Sequence, residues 1–340
     1  MTHARAHGIL PCQAIEALVA NGAISAASPF APDQVQPASL DLRLGDYAWR
    51  ARASFLPGAA RTVAERLADV AMHRLDLTGG AVLERGCVYI APVQEVMALP
   101  PGGSARANPK SSTGRVDVFV RAITDHGAAF DDVAAGYRGP LYVEISPQTF
   151  SVLVRTGTRL NQLRLRQGEP SRLASQDVGV DLTGDLAGFR ARRHAGVIDL
   201  DREDGHDPRD FWEPLEARRG ELLLDPGEFY ILASKEAIEI PVLQAAEMTP
   251  IDPAVGEFRV HYAGFFDPGF GTAEAGGLGS RGVLEVRSHE TPFLLEDGQT
   301  VARLVFEPLT EHPARLYGAG GSHYQRQGLK LSKHFRAWEP

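Results

Sequence analysis

Leu83 to Pro100 reads L-E-R-G-C-V-Y-I-A-P-V-Q-E-V-M-A-L-P, and Leu224 to Pro241 reads L-D-P-G-E-F-Y-I-L-A-S-K-E-A-I-E-I-P. Leu, Gly, Tyr, Ile, Glu and Pro recur in register at a spacing of 141 residues. The same spacing pairs Ala122 with Ala263, Glu144 with Glu285, Gly157 with Gly298 and Leu163 with Leu304. Further upstream, D-Y-A-W-R-A-R at Asp46 to Arg52 resembles D-L-A-G-F-R-A-R at Asp185 to Arg192. One spacing held without a gap over roughly eighty residues marks a tandem duplication. Within each copy, short apolar runs alternate with turn residues, and the chain holds 35 Gly and 23 Pro. That is the pattern of short strands joined by tight turns. The expectation is a mainly β protein of two tandem domains, residues 1–172 and 173–340, with the boundary inside 168–178.

The bulk numbers agree. A chain of 340 residues with 44% hydrophobic content can bury two ordinary cores. The net charge is −8 and no basic block stands out, which argues against nucleic acid or a membrane surface as partner. Two cysteines, Cys12 and Cys87, rule out a disulfide framework and fit a reducing cytoplasm. The N-terminus lacks an apolar signal segment, and no run approaches the ~20 apolar residues of a membrane span. A soluble, cytoplasmic protein is expected. Locally, Ile9 to Ile24 is the best helix candidate, with Gly22 as its stop. Gln36 to Gly45 alternates as a half-buried strand. Residues 53–75 read as loop or a short helix, and the charged run 199–210 as an exposed loop inside the second copy.

The two copies differ where chemistry could sit. Asn108 to Arg115 reads N-P-K-S-S-T-G-R. Pro109 and Gly114 make it a turn, and Lys110 and Arg115 bracket the hydroxyls of Ser111 and Ser112. Such a turn can aim backbone N–H groups, two hydroxyls and two cations at a polyphosphate. It is also what a polar surface turn looks like. The second copy has I-D-P-A-V-G there, at Ile251 to Gly256, and lacks the serines and the arginine. It carries instead Y-A-G-F-F-D-P-G-F-G at Tyr262 to Gly271, where the first copy has R-A-I-T-D-H-G-A-A-F. Each copy keeps what the other has lost. One composite site would produce this division, and so would two decayed sites.

These residues resemble a known family. K-S-S-T-G-R is similar to the phosphate-binding Ser-Ser-x-x-Arg motif of the dCTP deaminase and dUTPase superfamily. A-G-F-F-D-P-G-F followed by V-L-E-V at Val283 to Val286 resembles the deaminase pattern of Ala, Asp-Pro-Gly and a strand Glu. Tyr317 to Ser332 resembles its C-terminal Tyr…Tyr-Gln-x-Gln-Gly…Ser arm, and Q-P-A-S-L-D-L-R-L-G its N-terminal strand. The match is closer to dCTP deaminase than to dUTPase, in a long two-copy form. It implies tandem dUTPase-like distorted jelly-roll or β-barrel domains with a few short helices. It also implies dCTP as substrate, dUTP as product or alternative ligand and dTTP as feedback ligand. Mg²⁺ would be bound through the triphosphate, with no protein metal ligand, and the assembly would be a homo-oligomer, a trimer by family habit. Three departures accompany it: both motifs lie in one chain, a Gly-rich insert spans Thr272 to Arg281, and His323 stands where the arm often has lysine.

Deamination at C4 of cytosine needs an activated water and a proton for the leaving amine. Zinc deaminases use an H-x-E…P-C-x-x-C signature. Neither cysteine here sits in a C-x-x-C, so the expectation is a zinc-free route. Glu285, among Val and Leu on a strand, is the candidate proton shuttle, because apolar surroundings raise a carboxyl pKa; an outward-facing strand glutamate is the plain alternative. Glu144 is its counterpart and the second choice. The resemblance implies that Ser111 and Arg115 assist catalysis, and that Lys110, Ser111, Ser112 and Arg115 hold phosphates. It gives Asp267 the 3′-hydroxyl of deoxyribose and Ala263 the base and water. Tyr317, Tyr324 and Gln327, with Lys330, would form an arm closing over the triphosphate. A dUTPase or a bifunctional enzyme releasing dUMP, a non-catalytic nucleotide-binding regulator, and a purely structural β protein remain alternatives.

Overall fold

The computed structural model describes residues 7–251, 258–260 (backbone only), 264–288, 290–318 and 327–339. Tyr262, Ala263, His323 and Tyr324 lie outside them. The chain is mainly β, with 44% strand and 9% helix. The sequence spacing of 141 residues reappears as strand register. In the first half, Val88–Ala98 pairs antiparallel with Arg138–Pro147, and Glu144 lies opposite Ile90. In the second, Phe229–Ile238 pairs antiparallel with Ser280–Ser288, and Glu285 lies opposite Ile231. Likewise Gly103–Pro109 meets Asn161–Gln167 with Arg106 opposite Arg164, and Gln244–Pro250 meets Thr300–Pro308 with Glu247 opposite Val305.

Each half stacks two sheets. The inward faces of the first pair supply Ala91, Val143 and Val120 from one sheet and Ala107, Leu163 and Leu165 from the other. The second pair supplies Tyr230, Leu232 and Leu284 against Ala246, Met248 and Leu304. Alternate residues of each strand turn inward because side chains repeat every second residue. The first core does not stop at the domain boundary. Phe189, Trp212, Phe229, Ile231 and Phe335 of the second half belong to the same apolar cluster. Trp212 is fully buried with its ring 5.4 Å from that of Phe150. Removing a ring of that size from a core costs about 3–5 kcal/mol, so the halves hold one another together.

Several sequence expectations change in detail. The 199–210 run is not simply a loop of its own half. Ile198–Asp199 adds in parallel to Val152–Val154, with Ile198 N–H donating to Ser151 O at 3.0 Å and Leu200 N–H to Leu153 O at 3.1 Å. The first helix is Cys12–Ala20, shorter than expected, with extended Pro11 before it and Gly22 at φ +78 after it. Short strands occupy Gly8–Ile9 and Ile24–Ala26 at its two sides. Val63–Val70 is the short helix of the 53–75 stretch, started by a reciprocal Thr62–Glu65 capping box. The Gln36–Gly45 stretch forms strand only over Leu40–Leu42. It is not half-exposed: Asp41 is 1% and Arg43 7% exposed. Ion pairs permit that burial, Arg43 Nε to Glu95 Oε1 at 2.8 Å and Lys110 Nζ to Asp41 Oδ2 at 2.5 Å.

Candidate active site

The stretch N-P-K-S-S-T-G-R leaves the Gly103–Pro109 strand and makes one helical turn, Ser111–Gly114. The expected turn is therefore helical, closed by Thr113 and Gly114 N–H groups donating to the Lys110 carbonyl at 2.9 and 3.0 Å. Ser112 is buried and its carbonyl accepts from the Ser332 hydroxyl at 2.8 Å. Lys110 bonds Asp41, whose Oδ1 is buried without a hydrogen-bond partner among the described residues. Arg159 stands 3.6 Å from Asp41 Oδ2 and grips Asp33 through two nitrogens at 3.0 Å each. This end of the site is a set of cations, each already held by a carboxylate.

The opposite wall comes from the second half. Glu285, in the middle of Ser280–Ser288, is 4% exposed and makes no ion pair among the described residues. Burial pushes its carboxyl up to about 8, against the opposing pull of the Arg115 guanidinium. Asp267 ends the short strand Phe265–Phe266 and is 7% exposed. Arg164 Nη2 donates to its Oδ1 at 3.1 Å, and Oδ2 makes no hydrogen bond to any described residue. Burial pushes this carboxyl up too, with Arg164 pulling it back.

Arg115 joins the two walls to the C-terminal arm. It is 2% exposed, and its nitrogens donate to Gln327 Oε1 at 3.0 Å and to the Lys330 carbonyl at 2.9 Å. Gln327 in turn donates from Nε2 to the Arg281 carbonyl at 2.8 Å, so both ends of its amide are engaged by the protein. Lys330 is held below its ordinary range by burial and then by the Arg115 charge. Tyr317 packs its ring 5.3 Å from that of Phe270. The arm beyond Gln327 is folded back on the first half, where Leu331 and Phe335 enter the core.

Lys110, Ser111, Ser112, Arg115, Asp267, Glu285, Tyr317 and Gln327 all line one cavity of about 850 Å³. Both copies thus contribute to a single space within one chain. Glu144 does not line it. Its Oε1 accepts from Arg121 at 2.6 and 3.1 Å. Ala263 and Tyr324, also expected here, lie outside the described residues. No group of three or more His, Cys, Asp or Glu side chains among the described residues is arranged to hold a metal. Sequence reasoning missed Arg159, Arg164 and His334. His334 lines the same cavity and is pushed down to about 4 by burial. The signal for Arg164 was present: the first copy reads L-R-L-R at Leu163 to Arg166, where the second has L-V-F-E.

Comparison with known proteins gives consistent matches. Residues 6–169 match the family described as "2'-deoxycytidine 5'-triphosphate deaminase (DCD) N-terminal domain", and residues 157–335 match its C-terminal domain. A crystal structure of 2'-deoxycytidine 5'-triphosphate deaminase from Agrobacterium tumefaciens is 54% identical, with a TM-score of 0.87, over 90% of this chain and 100% of that one. A dCTP deaminase of Halorubrum lacusprofundi is 30% identical over 132 residues, 38% of this chain. This chain spans only 62% of that relative's length. A "dCTP deaminase, dUMP-forming" of Methanothermobacter thermautotrophicus is 27% identical over 157 residues, 45% of this chain and 71% of the relative.

Proposed function

This chain belongs to the 2'-deoxycytidine 5'-triphosphate deaminase family, and on that premise we propose that it hydrolyses dCTP to dUTP and ammonia. The observation that carries the reading is the composite cavity. A hydroxyl- and cation-lined end from the first half faces a buried carboxyl from the second that makes no ion pair among the described residues.

The triphosphate occupies the Lys110–Ser112 end, where the ammonium, the hydroxyls and the start of the helical turn can meet phosphate oxygens. Mg²⁺ would travel with the triphosphate, since it keeps waters and phosphate ligands in preference to an all-protein cage; its contribution is to neutralise phosphate charge. The cytosine ring lies toward Glu285. The ionised carboxyl takes a proton from water as the water oxygen bonds C4. That proton passes to ring N3 as the C4=N3 double bond opens. The carboxyl then carries the proton of the new C4 hydroxyl to the amine nitrogen, so that the C4–N bond breaks, ammonia leaves and C4 becomes a carbonyl. A group that titrates near 8 holds both forms at neutral pH, so it can serve as base and then as acid. Arg115 favours the ionised form of Glu285 and is itself fixed by Gln327 and the Lys330 carbonyl. On dCTP the hydrogen-bond donors are the 4-amino group and the 3′-hydroxyl. With the amine at Glu285, the free oxygen of Asp267 is left for the hydroxyl.

The test is incubation of the purified chain with dCTP and Mg²⁺, with products separated by ion exchange and ammonia assayed in parallel. Equal amounts of dUTP and ammonia are expected. Formation of dUMP and pyrophosphate would replace this reading with the bifunctional one; dUMP is the product in the name of the Methanothermobacter relative. Tight dCTP binding without turnover would replace it with a regulator.

A further inference from the structure

Arg164 sits in the Asn161–Gln167 strand of the first half, yet the four described groups that its side chain contacts all belong to the second. Nη1 donates to the Ala246 carbonyl at 2.8 Å. Nη2 donates to the Phe266 carbonyl at 3.1 Å and to Asp267 Oδ1 at 3.1 Å. The guanidinium carbon lies 4.1 Å from the centre of the Phe265 ring. The side chain is fully buried. A buried guanidinium is expensive to desolvate, and a hydrophobic residue often serves stability as well or better. In the duplicated half the residue at the equivalent register is the uncharged, half-buried Val305. The fold therefore does not require a cation at this position, and its presence calls for another explanation.

That explanation lies in what the fork holds. Phe265, Phe266 and Asp267 all line the cavity. One guanidinium fixes the backbone at Phe266, one oxygen of Asp267 and the plane of Phe265, and it leaves Asp267 Oδ2 to the cavity. We propose that Arg164 is a positioning residue for sugar recognition: it orients Asp267 so that its free oxygen meets the 3′-hydroxyl, and thereby sets the preference for substrates that carry this group. The inference rests on the deaminase reading above, which supplies the substrate. Charge balance supports it, because burial favours the neutral form of Asp267 and Arg164 is the group that opposes this most. Lysine is no substitute, since an ammonium is a point charge without the planar fork.

The experiment compares kcat/KM for dCTP and for 2′,3′-dideoxy-CTP in the wild type, Arg164→Met and Arg164→Lys. The wild type should prefer dCTP about tenfold or more, the typical worth of a hydrogen bond to a charged group. In Arg164→Met the preference should fall to within about twofold, with the loss for dCTP appearing in KM rather than kcat. A purely structural role would lower both substrates alike and keep the ratio, and that result overturns the proposal. Should Arg164→Met fail to fold, Arg164→Lys retains the buried charge and decides: the ratio should still fall several-fold, and an unchanged ratio contradicts the proposal. If the wild type binds but turns over neither substrate, the deaminase reading fails, and the same ratio, read from Kd by calorimetry, still tests Arg164.

Discussion

Glu144 and Glu285 occupy the same register in the two halves, opposite Ile90 and Ile231. They are equally buried, at 2% and 4% exposure. What surrounds them differs. Glu144 is gripped by Arg121, whose guanidinium is itself stacked 3.5 Å from the centre of the Phe130 ring and bonded to Ser54. Over that face lies the 53–70 segment, with Phe55, Val63 and Leu67 packed on Ile90 and Ile123. Among the described residues Glu285 has no such cation in contact, and it opens on the composite cavity. Burial alone therefore does not make a proton shuttle. Glu144 spends its carboxylate on a contacting counter-ion, while Glu285, with the Arg115 cation held at one remove, is pushed up to about 8 by burial.

The comparison can be broken in several ways. The largest effect is expected from Glu285→Gln, which keeps shape and removes the titration. It should lower kcat by about 10²–10⁴-fold, whereas Glu144→Gln should stay within about threefold of wild type in the same ammonia-release assay. Equal losses in both would remove the distinction. Arg115→Met comes next. It takes away the charge that favours ionised Glu285 and the clasp on Gln327. A fall in kcat/KM of roughly 10–100-fold is expected, accompanied by an upward move of the acid limb of the pH–rate profile. A smaller effect, a rise in KM of about tenfold with kcat nearly kept, is expected of Lys110→Met in steady-state kinetics, from loss of a charge-assisted phosphate contact. Arg121→Met should leave kcat unchanged and lower unfolding stability by about 1–3 kcal/mol, read from urea denaturation, because Glu144 then loses its charged hydrogen bonds.

The repeat was legible because register is what a duplicated β fold conserves physically: slipping a strand by one residue would turn every apolar side chain outward. The same spacing that aligned Leu83 with Leu224 aligns the strand pairs around Glu144 and Glu285. The composite cavity was foreshadowed by the motifs each copy had lost. Three features were not legible. Alternation in L-D-L-R-L suggested an exposed face, but Asp41 and Arg43 are buried through Lys110 and Glu95, partners more than fifty positions away. The 199–210 run looked like a solvated loop, because nothing in its own neighbourhood says that Ile198 and Leu200 complete an edge of the other half. Arg164 and Arg166 stand out against the second copy, but nothing local says what they bond: Arg164 meets Asp267, and Arg166 meets Glu307, its own counterpart in the repeat. Contacts between residues distant in sequence decide all three, across the halves in the last two, and local patterning does not show which partners they are.

The central claim is that Glu285 is a buried carboxyl free to titrate and that it is the base. The most direct test is kcat/KM for dCTP from pH 5.5 to 9.5, which reports the essential groups of the free enzyme. The base form grows with pH up to its pKa. Activity should therefore rise about tenfold per pH unit at low pH and level off near 8. A profile already flat by pH 6 would place Glu285 in the ordinary carboxylate range and contradict the account.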